Sequence, residues 1–170
     1  MTTDQQFKEA MRRFPASVTV IAAGITGERC GLTATAVCSL SMDPPQLLVC
    51  LNNNSGTCKT VHENGYFSVN VLSHDQVEIA SNFGGFTNST YGDDKFSNDQ
   101  WGTGITGAPI LHDSVISLEC ELIDSHQAGT HHIVIGEVVN VSIDEQQTAL
   151  MYRNGNFGIW ASKMVLTDCR

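Results

Sequence analysis

Hydrophobic and polar positions along this chain change period several times, and each change marks a predicted element. Phe7, Ala10, Met11 and Phe14 recur at helical spacing before Pro15 halts the run. Thr3 followed by Gln6 has the form of a capping box, so a helix opens the chain. "SVTVIAAG" then reads as a buried strand. Residues 31–39, "GLTATAVCS", read as a second extended segment, although nearly every side chain there is small or hydroxylated. Asp43, Pro44 and Pro45 make a turn into the β-rich apolar run "QLLVCLN". "NNSGTCKTVHENG" predicts a loop and a short helix capped by Asn54 or Ser55.

"YFSVNVL" alternates as a strand, and Ser73 with Gln76 has capping-box spacing at the head of a helix in "SHDQVEIASNF". Residues 84–109 are rich in Gly, Asn, Thr and Asp and read as one long irregular stretch, a length that often carries function in a compact domain. In "SVISLECELID", Ile116, Leu118, Cys120 and Leu122 fall on one face and Ser117, Glu119 and Glu121 on the other, the pattern of a half-exposed strand. "HHIVIGEVVNVSI" reads as a long strand with a central Gly, and "YRNGNFGIW" as two arms around an Asn-Gly turn. Many strands on short turns, with only a few short helices, predict an antiparallel barrel or sandwich rather than an alternating α/β fold. With no internal repeat or linker, one domain is expected over residues 1–170, its core at about 7–160.

Composition narrows the function. No apolar run approaches the roughly eighteen residues of a membrane span, so no membrane association is expected. The N-terminus lacks the basic start and apolar middle of a signal peptide, which predicts a cytoplasmic protein. A net charge of −9 argues against non-specific nucleic-acid binding. It also means that an anionic phosphate must be held by local donors, from a chain with only nine Lys and Arg. Six cysteines show no C-x-x-C spacing, and the histidines of "THH" with Glu137 lack the H-E-x-x-H pattern, so no metal site is expected.

Residues 102–107, "GTGITG", match G-x-G-x-x-G, but "NDQW" precedes them and "APIL" follows. The strand and helix that a dinucleotide fingerprint needs are missing, and these glycines read as loop punctuation. The turn at Ser55, Gly56 and Thr57 is the better phosphate candidate, because a helix N-terminus offers unpaired amides and a positive dipole end. On local sequence alone these residues favour an ordinary capped helix, with Lys59 and Lys95 as solvated or phosphate-facing cations. His131 and His132 must face opposite ways in a strand. No Ser-His-Asp set or defensible carboxylate pair is present.

Taken in order, "FKEAMRRFPASVTVIAA", "CGLTATAVCSLSMDPPQLLVCLNNNS", "FSVNVL", "IASNFGG", "DKF", "LECELID", "AGTHHIVIGEV" and "LMYRNGNF" resemble the short-chain flavin reductase family, from residue 7 to about 157. The resemblance implies a mainly β domain with a few short helices, the FMN-binding split β-barrel. It implies an NADH-dependent flavin reductase using FMN or FAD, a homodimer with flavin near the subunit interface. Reduced flavin would pass by diffusion to the separate oxygenase of a two-component aromatic hydroxylase.

It also implies site residues. Thr33, Ala34, Thr35, Ala36, Val37 and Ser39 would run along the isoalloxazine ring, their small side chains leaving its face open. Leu51, Asn52, Asn53, Asn54, Ser55, Thr57 and Cys58 would hold the ribityl chain and phosphate. Phe83, Gly85 and Lys95 would close over the phosphate or adenine side. His131 would position the nicotinamide, with Tyr152 or Arg153 as companion. Residues 88–107 match no single family pattern, which leaves FMN and FAD open, and the tail "SKMVLTDCR" carries no assignment. A split barrel that keeps its flavin and reduces another acceptor, or a non-catalytic flavin carrier, are the alternatives.

Overall fold

The computed structural model describes residues 2–86, 92–96 and 99–160; the tail at 162–170 and part of the 88–107 stretch lie outside them. Helix α1 (Thr3–Met11) starts one residue before the sequence pattern suggests. Thr2 is its N-cap and Gln5 completes the capping box. The doubled Thr2-Thr3 and Gln5-Gln6 make the spacing degenerate, and the outer pair takes it. No α1 residue is buried, and Phe7 and Phe14 stand exposed.

Strands β1 (Ala16–Ser17) and β2 (Thr19–Ala23) divide "SVTVIAAG" at Val18. Val18 donates its amide to the Leu150 carbonyl and accepts from the Leu72 amide, handing the chain from a small sheet to a large one. Residues 31–39 are likewise two strands, β3 (Cys30–Ala34) and β4 (Val37–Met42), not one. A hairpin leads to β5 (Pro45–Asn52), then α2 (Gly56–Asn64), β6 (Tyr66–Val71) and α3 (Val77–Phe83). The 84–109 stretch is more regular than its composition suggests. It holds a five-residue 3-10 turn (Gly92–Phe96), β7 (Trp101–Thr103) and the start of β8 (Pro109–Leu111). The long β9 (Ile116–Ala128) and β10 (His131–Ile143) follow, then β11 (Leu150–Arg153) and β12 (Asn156–Ile159).

β1, β11 and β12 form the small sheet, in which Asn154 (φ 53°) and Gly155 (φ 83°) make the Asn-Gly turn with the positive φ values that a tight hairpin requires. The large sheet is antiparallel throughout, in the order β3-β2-β6-β9-β10-β5-β4. Its two edge strands, β3 and β4, are consecutive in the chain and only Thr35 and Ala36 separate them. Opposite edges joined by two residues force the sheet to curl almost into a barrel. A single core cluster accordingly draws Ile21, Ala34, Val49, Phe67, Cys120 and Val134 from six of its strands, with Cys58 and Val61 of α2. A second cluster on the opposite face joins Val20, Ala22, Phe83, Phe96, Leu111 and Leu150.

Two further expectations are corrected. The helix in "SHDQVEIASNF" begins at Val77 rather than at a Ser73 cap. Gln76 accepts from the Ser73 amide, but its own amide donates to the His112 carbonyl, so it stitches loops together and does not complete a capping box. The polar face of β9 is not uniformly exposed either: Ser117 and Glu119 are buried, while Glu121 is exposed. Glu119 accepts from the Thr106 amide and hydroxyl at 2.9 Å and from the Asn140 amide at 2.8 Å. Burial pushes its carboxyl up, yet these bonds outweigh burial and hold it below the ordinary carboxylate value.

Candidate active site

Asn53 and Asn54 lead from β5 to Ser55, which caps helix α2, its hydroxyl accepting from the Cys58 amide at 3.1 Å. The Ser55 hydroxyl proton goes to the Asn52 carbonyl, 2.8 Å away. Ser55 is therefore a cap with its donor already spent. The donors left for an anion are the amides of Gly56 and Thr57, at the start of α2, which have no carbonyl partner within the helix.

These amides open on a cleft of about 300 Å³ lined by Cys30, Gly31 and Leu32 of β3, residues 55–57, Phe83, Gly84, Gly85, Gly92 and Lys95. Five expected residues thus meet here: Ser55, Thr57, Phe83, Gly85 and Lys95. The Lys95 ammonium stands 5.5 Å from the Phe83 ring centre, a cation–π approach. Burial pulls its pKa down, offset in part by Cys30. An added Cβ at Gly85 or Gly92 would meet nothing within 4 Å, so the glycines leave this mouth open. Amides at a helix start, a cation and open space form a donor set that suits a phosphate monoester.

A second, more apolar hollow of about 190 Å³ adjoins it through Gly84 and is lined by Val18, Thr33, Ala34, Thr35, Phe86, Tyr152 and Phe157. Thr33 donates its hydroxyl to the Ala80 carbonyl at 2.8 Å, which fixes its rotamer and leaves its oxygen lone pairs free. Ala36 accepts from the Cys50 amide at 3.0 Å, while Val37 and Ser39 continue on β4, half-buried and exposed respectively. Because β3 and β4 are sheet edges, each has one side of its backbone without a strand partner in the large sheet. Such edges suit the alternating donors and acceptors of a flat heterocycle.

Other expected residues line neither hollow. Leu51 is fully buried in the core, so only its backbone is available, and Cys58 is buried with burial raising its thiol pKa. Asn52 ends β5, and Asn53 and Asn54 link it to the Ser55 cap, tied to the turn ahead of β10. The Asn53 amide donates to the Thr130 carbonyl at 3.0 Å and its side chain to the Gly129 carbonyl at 3.2 Å. His131 follows that turn, exposed, directly across the ladder from Asn52. Arg153 turns away from Tyr152 toward Glu9, Arg13 and Asn154. Among the described residues, no cluster of three His, Cys, Asp or Glu could hold a metal, and no helix is long and apolar enough to cross a membrane.

A family model for the flavin reductase like domain matches residues 11–161. The chain belongs to this flavin reductase family. It is 38% identical over 153 residues to the FMN reductase (NADH) RutF of Agrobacterium fabrum, covering 90% of this chain and 86% of that one. It is 35% identical over 153 residues to the 4-hydroxyphenylacetate 3-monooxygenase reductase component of Pseudomonas aeruginosa, covering 90% and 89%. The Streptomyces globisporus C-1027 NADH:FAD oxidoreductase SgcE6, solved in complex with NAD and FAD fragments, superposes with a TM-score of 0.85 at 28% identity, over 95% of this chain and 94% of that one. Family membership gives this flavin reductase its reaction class, flavin oxidoreduction with a reduced nicotinamide as donor.

Sequence reasoning missed Phe86 and Phe157 in the apolar hollow, and Arg29 with Asp93 behind Lys95. Phe86 offered no local signal: it lines the hollow while 71% exposed, and a single exposed aromatic marks nothing in a sequence. Arg29 offered none, because it is far from Asp93 in the chain.

Proposed function

We propose that this protein is a single-domain, NADH-dependent flavin reductase that takes FMN or FAD as a diffusible substrate. Reduced flavin leaves it for a separate monooxygenase of a two-component aromatic hydroxylase system. The observation that carries the reading is the meeting of the α2 N-terminus, Lys95 and the β3 edge around one open cleft. The chemistry a bound flavin supplies is acceptance of a hydride at N5 from nicotinamide C4. The chain's own residues then need only bind and orient.

In this reading the first-turn amides of α2 and Lys95 hold the phosphate, with residues 52–54 beside the ribityl chain. The free edges of β3 and β4, from Thr33 to Ser39, hydrogen-bond the polar rim of the ring and stabilise negative charge that builds there on reduction. His131 positions the nicotinamide from the rim beside Asn52, and Tyr152 supports it from the apolar hollow. The protein works as a homodimer with the flavin near the interface; exposed Leu40 and Met42 on β4 and Phe7 and Phe14 by α1 support such a face. Its five described cysteines, all free, suit the cytoplasm.

Gel filtration of protein loaded with FMN tests the reading. Flavin that elutes separately from the protein supports a diffusible substrate. Flavin that stays with the protein through extensive dilution favours the alternative in which the flavin is retained and another acceptor is reduced.

A further inference from the structure

We infer that Arg29 and Asp93 form the positioning device for Lys95, holding the 3-10 turn (Gly92–Phe96) so that its ammonium stands over the phosphate end of the cleft. The inference rests on the phosphate cradle proposed above and adds two residues that lie outside it.

A five-residue 3-10 turn has little stability of its own. This one is anchored on both sides of Lys95. On one side Asp93 takes four donors. Its Oδ1 accepts from the Gly27 amide (3.0 Å), the Arg29 amide (3.0 Å) and Arg29 Nε (2.7 Å), and its Oδ2 accepts from Arg29 Nη2 (2.9 Å). The pair is largely withdrawn from solvent, its side chains 15% and 27% exposed. On the other side Phe96 is 2% exposed and packs edge-on against Phe83 at 5.0 Å and Trp101 at 4.8 Å. Arg29 joins the two anchors, because its guanidinium also lies 4.9 Å over the Phe96 ring. Gly31 leaves the space this needs, since a Cβ there would come within 2.7 Å of the Phe83 ring.

Between these anchors only Lys95 faces the cleft. A flexible lysine tethered to a mobile loop would lose side-chain and loop entropy on meeting an anion. The bidentate pair removes the loop's share of that cost in advance.

The sign of the charge separates positioning from a simple field effect. Asp93 is an anion near an anion site, so its removal by field alone would tighten phosphate binding. Loss of a positioning device weakens it.

The experiment compares the KM of FMN with that of riboflavin, which lacks the phosphate, in wild type and in Asp93→Ala, Arg29→Lys and Lys95→Ala. The expected result is that Asp93→Ala raises the KM of FMN about tenfold, the size of a lost charge-assisted contact. The riboflavin KM and the kcat at saturating flavin stay within about twofold. Asp93→Ala placed on Lys95→Ala adds little further, because both act through one ammonium. Arg29→Lys, which keeps the charge but loses the fork, gives an intermediate rise and serves if Asp93→Ala fails to fold. An FMN KM unchanged or lowered in Asp93→Ala, or unchanged in Arg29→Lys, overturns the inference while the cradle stands. A Lys95→Ala effect equal on FMN and riboflavin overturns the cradle itself, and this inference with it.

Discussion

Asn52 on β5 and His131 on β10 are direct cross-strand partners in the large sheet, although they lie far apart in the chain. The pairing sets the loop that leads into α2 beside the turn that carries His131. It puts a proposed nicotinamide contact within a few residues of the proposed phosphate cradle. His131→Ala is expected to raise the KM for NADH about five- to tenfold, the loss of roughly one polar contact, and to leave the KM for flavin nearly unchanged. Steady-state kinetics with each substrate varied in turn checks this, and equal shifts in both constants contradict it.

Ser55→Ala separates two roles at one position. The lost cap is expected to cost about 1 kcal/mol of stability, read by urea unfolding. The frayed first turn is expected to weaken FMN more than riboflavin, because only the phosphate uses the α2 amides. An equal effect on both flavins, measured by KM, would confine Ser55 to a structural role.

Gly104 stands against the buried Glu119 carboxylate, and a Cβ there would collide with it. Gly104→Ala must displace a charge held by three hydrogen bonds, so a loss of more than about 2 kcal/mol is expected. Denaturant unfolding reads it. A variant within about 0.5 kcal/mol of wild type, the range of an ordinary surface change, would show that the carboxylate has room to move.

Acid stability reports the Asp93 pair. The Arg29 guanidinium, the amides of Arg29 and Gly27 and the local charge hold the Asp93 carboxyl at about 2, down from 3.8, against the opposing effect of burial. A carboxyl depressed in the folded state stabilises fully above its unfolded value, and that contribution fades as pH falls through the folded value. The stability difference between wild type and Asp93→Asn is therefore expected to be flat from pH 8 to about 5, then to shrink between about 4 and 2. Glu119 titrates alike in both proteins and cancels. Unfolding curves across this range test it; a difference that widens on acidification contradicts it.

The mainly β architecture, a cap at Asn54 or Ser55 ahead of α2 and the Asn-Gly hairpin were legible in the sequence, because period, capping chemistry and turn residues are local signals. What escaped is what only the closed sheet creates. Residues 31–39 read as one small-residue strand, yet Gly31 is small because Phe83 and Phe96 sit on it, and Ala34 is small because it lies in the core. Thr33, Ala34 and Thr35 line the apolar hollow, so the openness that the expected flavin contact requires is confined to part of the stretch. Glu119 sat on the polar face of an alternating strand, and nothing in that alternation announced that residues 104–108 would cover it. The Arg29 and Asp93 pair joins two loops distant in the chain, so no window of sequence contains it. Of the expected site residues, those entering α2 and those around Lys95 converge on one cleft, whereas Arg153, consecutive with Tyr152 in a strand, had to face the other way.

The most direct test of flavin as a diffusible substrate is steady-state NADH oxidation by purified, flavin-free protein, with and without added FMN or FAD, and with NADPH in parallel. The account predicts negligible turnover without flavin, turnover that saturates as flavin is added, and a higher kcat/KM for NADH than for NADPH. Flavin that binds with no NADH oxidation at any concentration would contradict it and leave a carrier in place of a reductase.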